Sequence, residues 1–295
     1  MTTSLKRRAF TALLGGAAAW PLLARAQPSG PTQRTEMIPV VIDGESVRLS
    51  TRIHRPAGAG PFPTLIFHHG STGRGDDPSL FRRPYDPEQL SAWFTARGWA
   101  VALPSRRGRG GSEGLYDEGF GQPRDKGYAC EETLSVPGAE RALRDIDAAT
   151  TAVLAMPFVD RRQVVVGGQS RGGILAIAWS GRRPEIPRAT INFVGGWMGA
   201  GCAQAAAINQ RIFRLGGSFP RETLWLYGDK DSFYPLAHSR RNFEAFKAAG
   251  GRGSFHEYQP VAAGAGHRII NSPELWGDTL ERYLAAQGLP VAARR

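Results

Sequence analysis

The chemistry-bearing residues cluster first around one serine. Val164-Val165-Val166 is followed by Gly167-Gly168-Gln169-Ser170-Arg171-Gly172-Gly173, an apolar run that breaks into Gly-x-Ser-x-Gly ahead of a helix-like segment. A serine used as a nucleophile must project from a tight strand-to-helix turn. Glycines two residues to either side remove the Cβ atoms that would clash across it. The helix that follows aims its first N–H groups at the place where negative charge develops during acyl transfer. Ser170 is therefore the candidate nucleophile, and a Gly-rich structural turn is the alternative reading of the same residues.

A free hydroxyl is a poor nucleophile at neutral pH, so it needs a base, and the base needs an orienting carboxylate. On a strand-helix architecture these partners follow the serine in the order acid, then histidine. The run Leu224-Trp225-Leu226-Tyr227-Gly228 leads directly into Asp229-Lys230-Asp231. A short turn is needed before a side chain can aim back at the serine, which favours Asp231 and leaves Asp229 as a turn former. Of the six histidines, His54 precedes the sheet core, His238 lies on a surface helix and His256 lies in a strand. His267 stands in a Gly-rich loop between the last strand and the last helix, placed to reach Ser170. Two N–H donors must converge on the oxyanion; those of Arg171 and Ser71 are the candidates, with Gly70 permitting close approach. The doublet His68-His69 has no carboxylate or third histidine nearby in sequence. It is expected to pack a loop, not to hold a metal, and no cofactor is expected.

The elements that must position these groups alternate. Met37 to Ile42 and Ser46 to His54 form a hairpin turning at Asp43-Gly44. Continuous apolar runs at Pro63 to Phe67, Trp99 to Leu103, Val164 to Val166, Ala189 to Val194 and Thr223 to Tyr227 suit strands buried on both faces, with a further strand at Phe255 to Tyr258. Helical spacing covers Pro87 to Arg97, Pro137 to Met156, Gly172 to Trp179, Pro235 to Ala249 and Pro273 to Ala286. The fold class is α/β: a mostly parallel, doubly wound sheet with helices on both faces. Two Gly-rich stretches, residues 105–136 and 195–221, break the alternation and are expected as loop insertions over the site. Tyr116, Phe120, Trp197, Met198 and Phe219 within them are candidate apolar lining, with core packing as the alternative.

Five features taken together resemble the α/β-hydrolase superfamily, and most closely its dienelactone-hydrolase-like branch. They are the strand ending in His69-Gly70, the segment from Arg106 to Gly114, the elbow at Ser170, Gly228-x-x-Asp231 and Gly266-His267. The resemblance spans residues 37 to 287 and implies that fold and a hydrolytic activity. Dienelactone hydrolases proper use a cysteine where Ser170 stands, so their lactone specificity does not carry over. The Arg-Gly-x-Gly-x-Ser segment implies that Arg107 and Arg109 pack beneath the site, with substrate-carboxylate anchoring as their second reading.

Composition separates further classes. The 295 residues hold 37 Lys+Arg against 26 Asp+Glu, a formal charge of +11. At 41% hydrophobic and 21% charged residues the chain can bury a core, which excludes a disordered, collagenous or polytopic membrane protein. Only Lys6, Lys126, Lys230 and Lys247 are lysines. The arginines are scattered, without interleaved aromatics, so nucleic acid is not an expected partner. Residues 1–26 read as an export signal of twin-arginine type, from Lys6-Arg7-Arg8 through an apolar stretch to Ala24-Arg25-Ala26. The alternative is an uncut anchor, too short to span a bilayer. Residues 27–36 read as a linker and residues 37–290 as the domain, periplasmic or secreted, of unassigned oligomeric state. Removal of Lys6, Arg7, Arg8 and Arg25 leaves 33 basic against 26 acidic residues, or +7. An oxidising compartment permits a Cys130–Cys202 disulfide, with two separate buried thiols as the alternative.

The expected activity is attack of a serine on a carboxylic ester or related acyl bond, with a small-molecule substrate. Any effect of the charge would favour anionic esters. A prolyl-oligopeptidase-like peptidase and a non-catalytic binding protein on the same fold are the competing readings.

Overall fold

The computed structural model describes residues 30–259 and 265–291. The expected signal, residues 1–26, lies outside the described residues. Among the described residues eight strands form one sheet: β1 (Thr32–Ile42), β2 (Glu45–Arg55), β3 (Phe62–His68), β4 (Ala100–Pro104), β5 (Val159–Gln169), β6 (Ala189–Phe193), β7 (Thr223–Gly228) and β8 (Gly253–Tyr258). Their order across the sheet is β1-β2-β4-β3-β5-β6-β7-β8. β1 and β2 pair antiparallel, as do β2 and β4, and every pairing from β4 through to β8 is parallel. The hairpin turns at Asp43 (φ 55°) and Gly44 (φ 83°). Positive φ at both central residues matches the right-handed twist of the flanking strands.

Among the described residues six helices cover the sheet: α1 (Glu88–Thr95), α2 (Glu132–Leu154), α3 (Arg171–Arg182), α4 (Ala205–Arg214), α5 (Leu236–Ala248) and α6 (Pro273–Ala286). α1 and α6 pack on one another, with the Trp93 and Trp276 ring centroids 5.7 Å apart. α2, α3, α4 and α5 form a contiguous second layer. The strands between them are buried along their whole length in β4, β6 and β7, which is why they read as unbroken apolar runs.

Three expectations change. β1 begins at Thr32, so residues 32–36 are strand and not linker; Thr32 to Glu36 pair with Thr51 to Arg55. Their polar sequence reflects an edge strand with a solvated face. α2 begins at Glu132, with Pro137 inside it. The missing Pro137 N–H would have faced the Thr133 carbonyl, and both residues are exposed, so water can serve that carbonyl. Most of residues 195–221 is not loop: α4 buries Ile208, Ile212 and Phe213 against α3 and α5, and a 3-10 turn follows at Leu215–Ser218. Residues 105–131 remain largely irregular, with one 3-10 turn (Arg124–Lys126) and one bridge between Phe120 and Tyr128.

Candidate active site

The parallel arrangement brings the C-terminal ends of β3, β5, β7 and β8 to one edge, and the candidate residues follow these ends. Ser170 stands between β5 and α3 with φ 55° and ψ −123°, a conformation that non-glycine residues rarely adopt. The two glycines around it are sterically required. A Cβ on Gly172 would lie 2.0 Å from the His68 carbonyl oxygen, and one on Gly168 would lie 2.2 Å from the Gly172 carbonyl carbon. The turn after β3 comes equally close: a Cβ on Gly70 would sit 3.0 Å from Ser170 Cβ and 3.5 Å from its Oγ. That contact puts Ser71 beside the serine. The Arg171 N–H is the first of α3, one of the donors a helix start leaves without an internal partner.

Asp231 follows β7 across the turn Gly228-Asp229-Lys230, with Lys230 at φ 57°. Its carboxylate is fully buried. Oδ1 accepts the N–H groups of Phe233 (2.8 Å) and Tyr234 (3.0 Å), and Oδ2 accepts His267 Nδ1–H at 2.9 Å. Asp229 instead accepts the Lys230 N–H, the expected turn-forming bond. His267 lies in a 3-10 turn (Ala265–Asn271), its ring 4.8 Å from that of Phe233 and 5.6 Å from that of Tyr234. With Nδ1 committed to Asp231, Nε2 is the nitrogen left for proton exchange. Gln169 ties this turn to the elbow: its Nε2 donates to the His267 carbonyl (2.9 Å) and its Oε1 accepts from Tyr85 (2.7 Å).

Ser170, Ser71, Arg171 and His267 line one cavity of about 650 Å³. Trp197 and Met198 line it as expected. Tyr116 and Phe120 do not. They are buried behind Tyr128, in edge contact with one another and with Phe81, because their loop folds inward over α2. Phe219 is also buried away from the cavity.

The residues that residue-type reasoning missed surround Arg171. Its guanidinium is sandwiched between the rings of Tyr128 (3.6 Å) and Trp197 (4.1 Å) and donates to the Trp197 carbonyl. It also reaches Glu118 Oε2 at 3.2 Å, and Arg106 Nε meets the other oxygen of Glu118 at 2.5 Å. Burial pushes the Glu118 carboxyl up, but Arg106 and Arg171 outweigh it and hold the group below its ordinary value. The clustering of Arg106, Glu118, Tyr128 and Arg171 spans loops far apart in sequence, which leaves no local pattern to read.

His68 and His69 pack, as expected. His69 Nδ1 donates to the Gly70 carbonyl and Nε2 accepts the Arg106 N–H, which fixes the turn carrying Ser71. Burial, aided by Arg106, lowers the His68 pKa to about 3. Among the described residues no three His, Cys, Asp or Glu side chains gather in a way that could hold a metal ion. Arg107 is structural, bound to Asp145 (2.7 Å) and Asp43 (3.0 Å). Arg109 lies under the site, donates to the Phe81 and Gly70 carbonyls and reaches the cavity wall. Cys130 and Cys202 are joined in a disulfide on the cavity rim, linking the loop after β4 to the segment before α4.

Comparison with known proteins agrees with this geometry at the level of fold. No curated protein matches the chain. Among solved structures, a Klebsiella pneumoniae chain assigned as a dienelactone hydrolase is 20% identical; the match covers 88% of this chain and 99% of that one, with a TM-score of 0.54. Acetyl xylan esterase from Paenibacillus sp. R4 is 14% identical over 92% of this chain and 86% of its own, with a TM-score of 0.62. Pyrococcus horikoshii acylaminoacyl peptidase is 15% identical over 90% of this chain but 43% of its own, with a TM-score of 0.57. The fold is that of the α/β-hydrolases. The family model for X-Pro dipeptidyl-peptidase (S15 family) matches residues 43–197, just over half of the chain, from the hairpin turn through the elbow to Trp197. The chain belongs to the X-Pro dipeptidyl-peptidase (S15) family, on the α/β-hydrolase fold.

Proposed function

We propose that the protein is a serine hydrolase that cleaves a carboxylic ester or related acyl bond through Ser170, His267 and Asp231. The observation that carries this reading is the buried Asp231 carboxylate at 2.9 Å from His267 Nδ1, with His267 and Ser170 lining the same cavity. Ser170 Oγ attacks the acyl carbon as His267 takes its proton, and Asp231 stabilises the imidazolium that forms. The Arg171 and Ser71 N–H groups hold the oxyanion. Collapse of the tetrahedral intermediate expels the alcohol, which takes the proton from His267. A water molecule, deprotonated by His267, then releases the acid and restores Ser170.

A second reading within the same chemistry is a peptidase. The family description and the likeness to an acylaminoacyl peptidase favour it. Against a dipeptidyl-peptidase stands the absence of aspartate or glutamate among the described lining residues, since a free N-terminal ammonium held at the site needs a carboxylate partner. Rates on short-chain 4-nitrophenyl esters and on aminoacyl-proline nitroanilides separate the two. Ester turnover that vanishes in Ser170→Ala supports the esterase. Faster cleavage of the anilide transfers the proposal to the peptidase, and absence of both, with ligand-induced thermal shifts, supports a non-catalytic binder.

Export through the twin-arginine route to the periplasm is part of the proposal. Arg7-Arg8 and the small-x-small site at Ala24-Arg25-Ala26 support it, as does a disulfide of the kind oxidising compartments maintain.

A further inference from the structure

The wall of the cavity is positive among the described residues. Arg74, Arg109, Lys126, Arg171 and Arg268 line it, and no described aspartate or glutamate does. Beneath the surface the balance has the same sign. Arg106, Arg109 and Arg171 are buried together under the serine. Glu118 is bonded to Arg106 and Arg171, whereas Arg109 bonds carbonyl oxygens and lies over the Tyr116 ring, with no ion pair among the described residues. The other buried carboxylate at the site, Asp231, is committed to His267 and two backbone N–H groups. Three buried guanidiniums thus stand against two carboxylates, and Arg107 nearby is matched by Asp145. In a low-dielectric region an unmatched charge projects further than it does in water.

The remaining cations are free to meet a ligand. Lys126 and Arg268 are exposed at the rim without an ion pair among the described residues. Arg74 is nearly free, its nearest carboxylate being Asp76 at 4.0 Å.

We infer that the cavity selects an acyl substrate bearing a second, free carboxylate, the hemiester of a dicarboxylic acid, and rejects one bearing an ammonium group. Arg109 and Arg171, fixed by their own bonds, supply the field. Lys126 and Arg268, exposed at the rim, are the groups that can close on the carboxylate. The inference relies on the hydrolase reading for the bond that is cut, but not for the charge of what binds.

The test is calorimetric binding to the Ser170→Ala protein, which holds esters without turning them over. Three ligands of similar length differ in charge: monomethyl glutarate, methyl valerate and methyl 5-aminovalerate. The hemiester is expected to bind about tenfold more tightly than the neutral ester, a preference typical of charge complementarity, and the amino ester most weakly. In about 0.5 M salt, where screening shortens the reach of exposed charges, the preference shrinks. Adding Lys126→Gln and Arg268→Gln reduces it to about threefold or less, as expected when rim charges are removed. Equal binding of hemiester and neutral ester, including no detectable binding of either, overturns the inference, as does a preference that survives both rim substitutions. Failure of the hydrolase reading is seen separately, as absent ester turnover by the wild type, and does not alter the binding order.

Discussion

Asp231 uses both carboxylate oxygens at once: Oδ2 faces His267 Nδ1 at 2.9 Å, while Oδ1 is pinned by the N–H groups of Phe233 and Tyr234. The two backbone bonds hold the carboxylate in one orientation before any substrate arrives, so the imidazole is oriented by a rigid partner. Such preorganisation is what makes an orienting carboxylate effective.

Replacing Asp231 by Asn keeps an acceptor for the two N–H groups but turns an amide toward His267. The expected result is a fall in kcat of about 10³–10⁴ with little change in KM, since the wrong imidazole tautomer is favoured. Steady-state kinetics on an ester substrate, with circular dichroism to confirm folding, check this. A loss below tenfold would remove Asp231 from the mechanism.

Glu118 lies between two buried guanidiniums, from Arg106 and Arg171. Changing it to Gln leaves both without their shared anion, and breaking a buried ion pair from one side costs about 3–5 kcal/mol. Urea denaturation is expected to show a loss of that order. The Arg171 sandwich should loosen with it, raising KM as well. Unchanged stability would mean that water or another group compensates the charges.

Reduction of Cys130–Cys202 frees a loop closed over a separation of 72 residues. The chain-entropy account assigns about 4 kcal/mol to such a closure. The reduced and alkylated protein should therefore unfold at a clearly lower temperature than the oxidised one in differential scanning calorimetry. Coincident transitions would show that packing alone holds the cavity rim.

His68 gives the stability a pH dependence of defined sign. Its folded pKa is depressed from 6.5 to about 3, so the unfolded chain binds a proton between those values while the native one does not. Stability is complete above pH 6.5 and declines as pH falls toward 3. Between pH 8 and pH 5 one such histidine removes about 2 kcal/mol, and His69, buried beside it and shifted the same way, adds to the loss. Denaturant midpoints at the two pH values measure it. A protein equally stable at pH 5 and pH 8 contradicts the buried, neutral assignment of the pair.

The sheet was legible because its buried strands are continuous apolar runs, and the placement of Ser170, Asp231 and His267 at one edge of it because each follows the end of a strand. Polar Thr32 to Glu36 hid an edge strand. Pro137 masked the first turn of α2, since a proline on the solvent face of a helix is tolerated there. α4 does carry an amphipathic spacing, at Ile208, Ile212 and Phe213, but it is short and set between Gly-rich segments that read as loop. The inward fold of Tyr116 and Phe120, and the Arg106, Glu118 and Arg171 network, depend on contacts between distant loops. Periodicity carries no record of such contacts.

The central claim is that Ser170 is the nucleophile, and covalent labelling tests it most directly. The folded wild-type protein is treated with a fluorophosphonate and analysed by intact and peptide mass spectrometry. One phosphonyl adduct is expected, on the peptide containing Ser170, with none on Ser170→Ala and slower labelling of His267→Ala. Equal labelling of wild type and Ser170→Ala, or an adduct on another residue, would contradict the account.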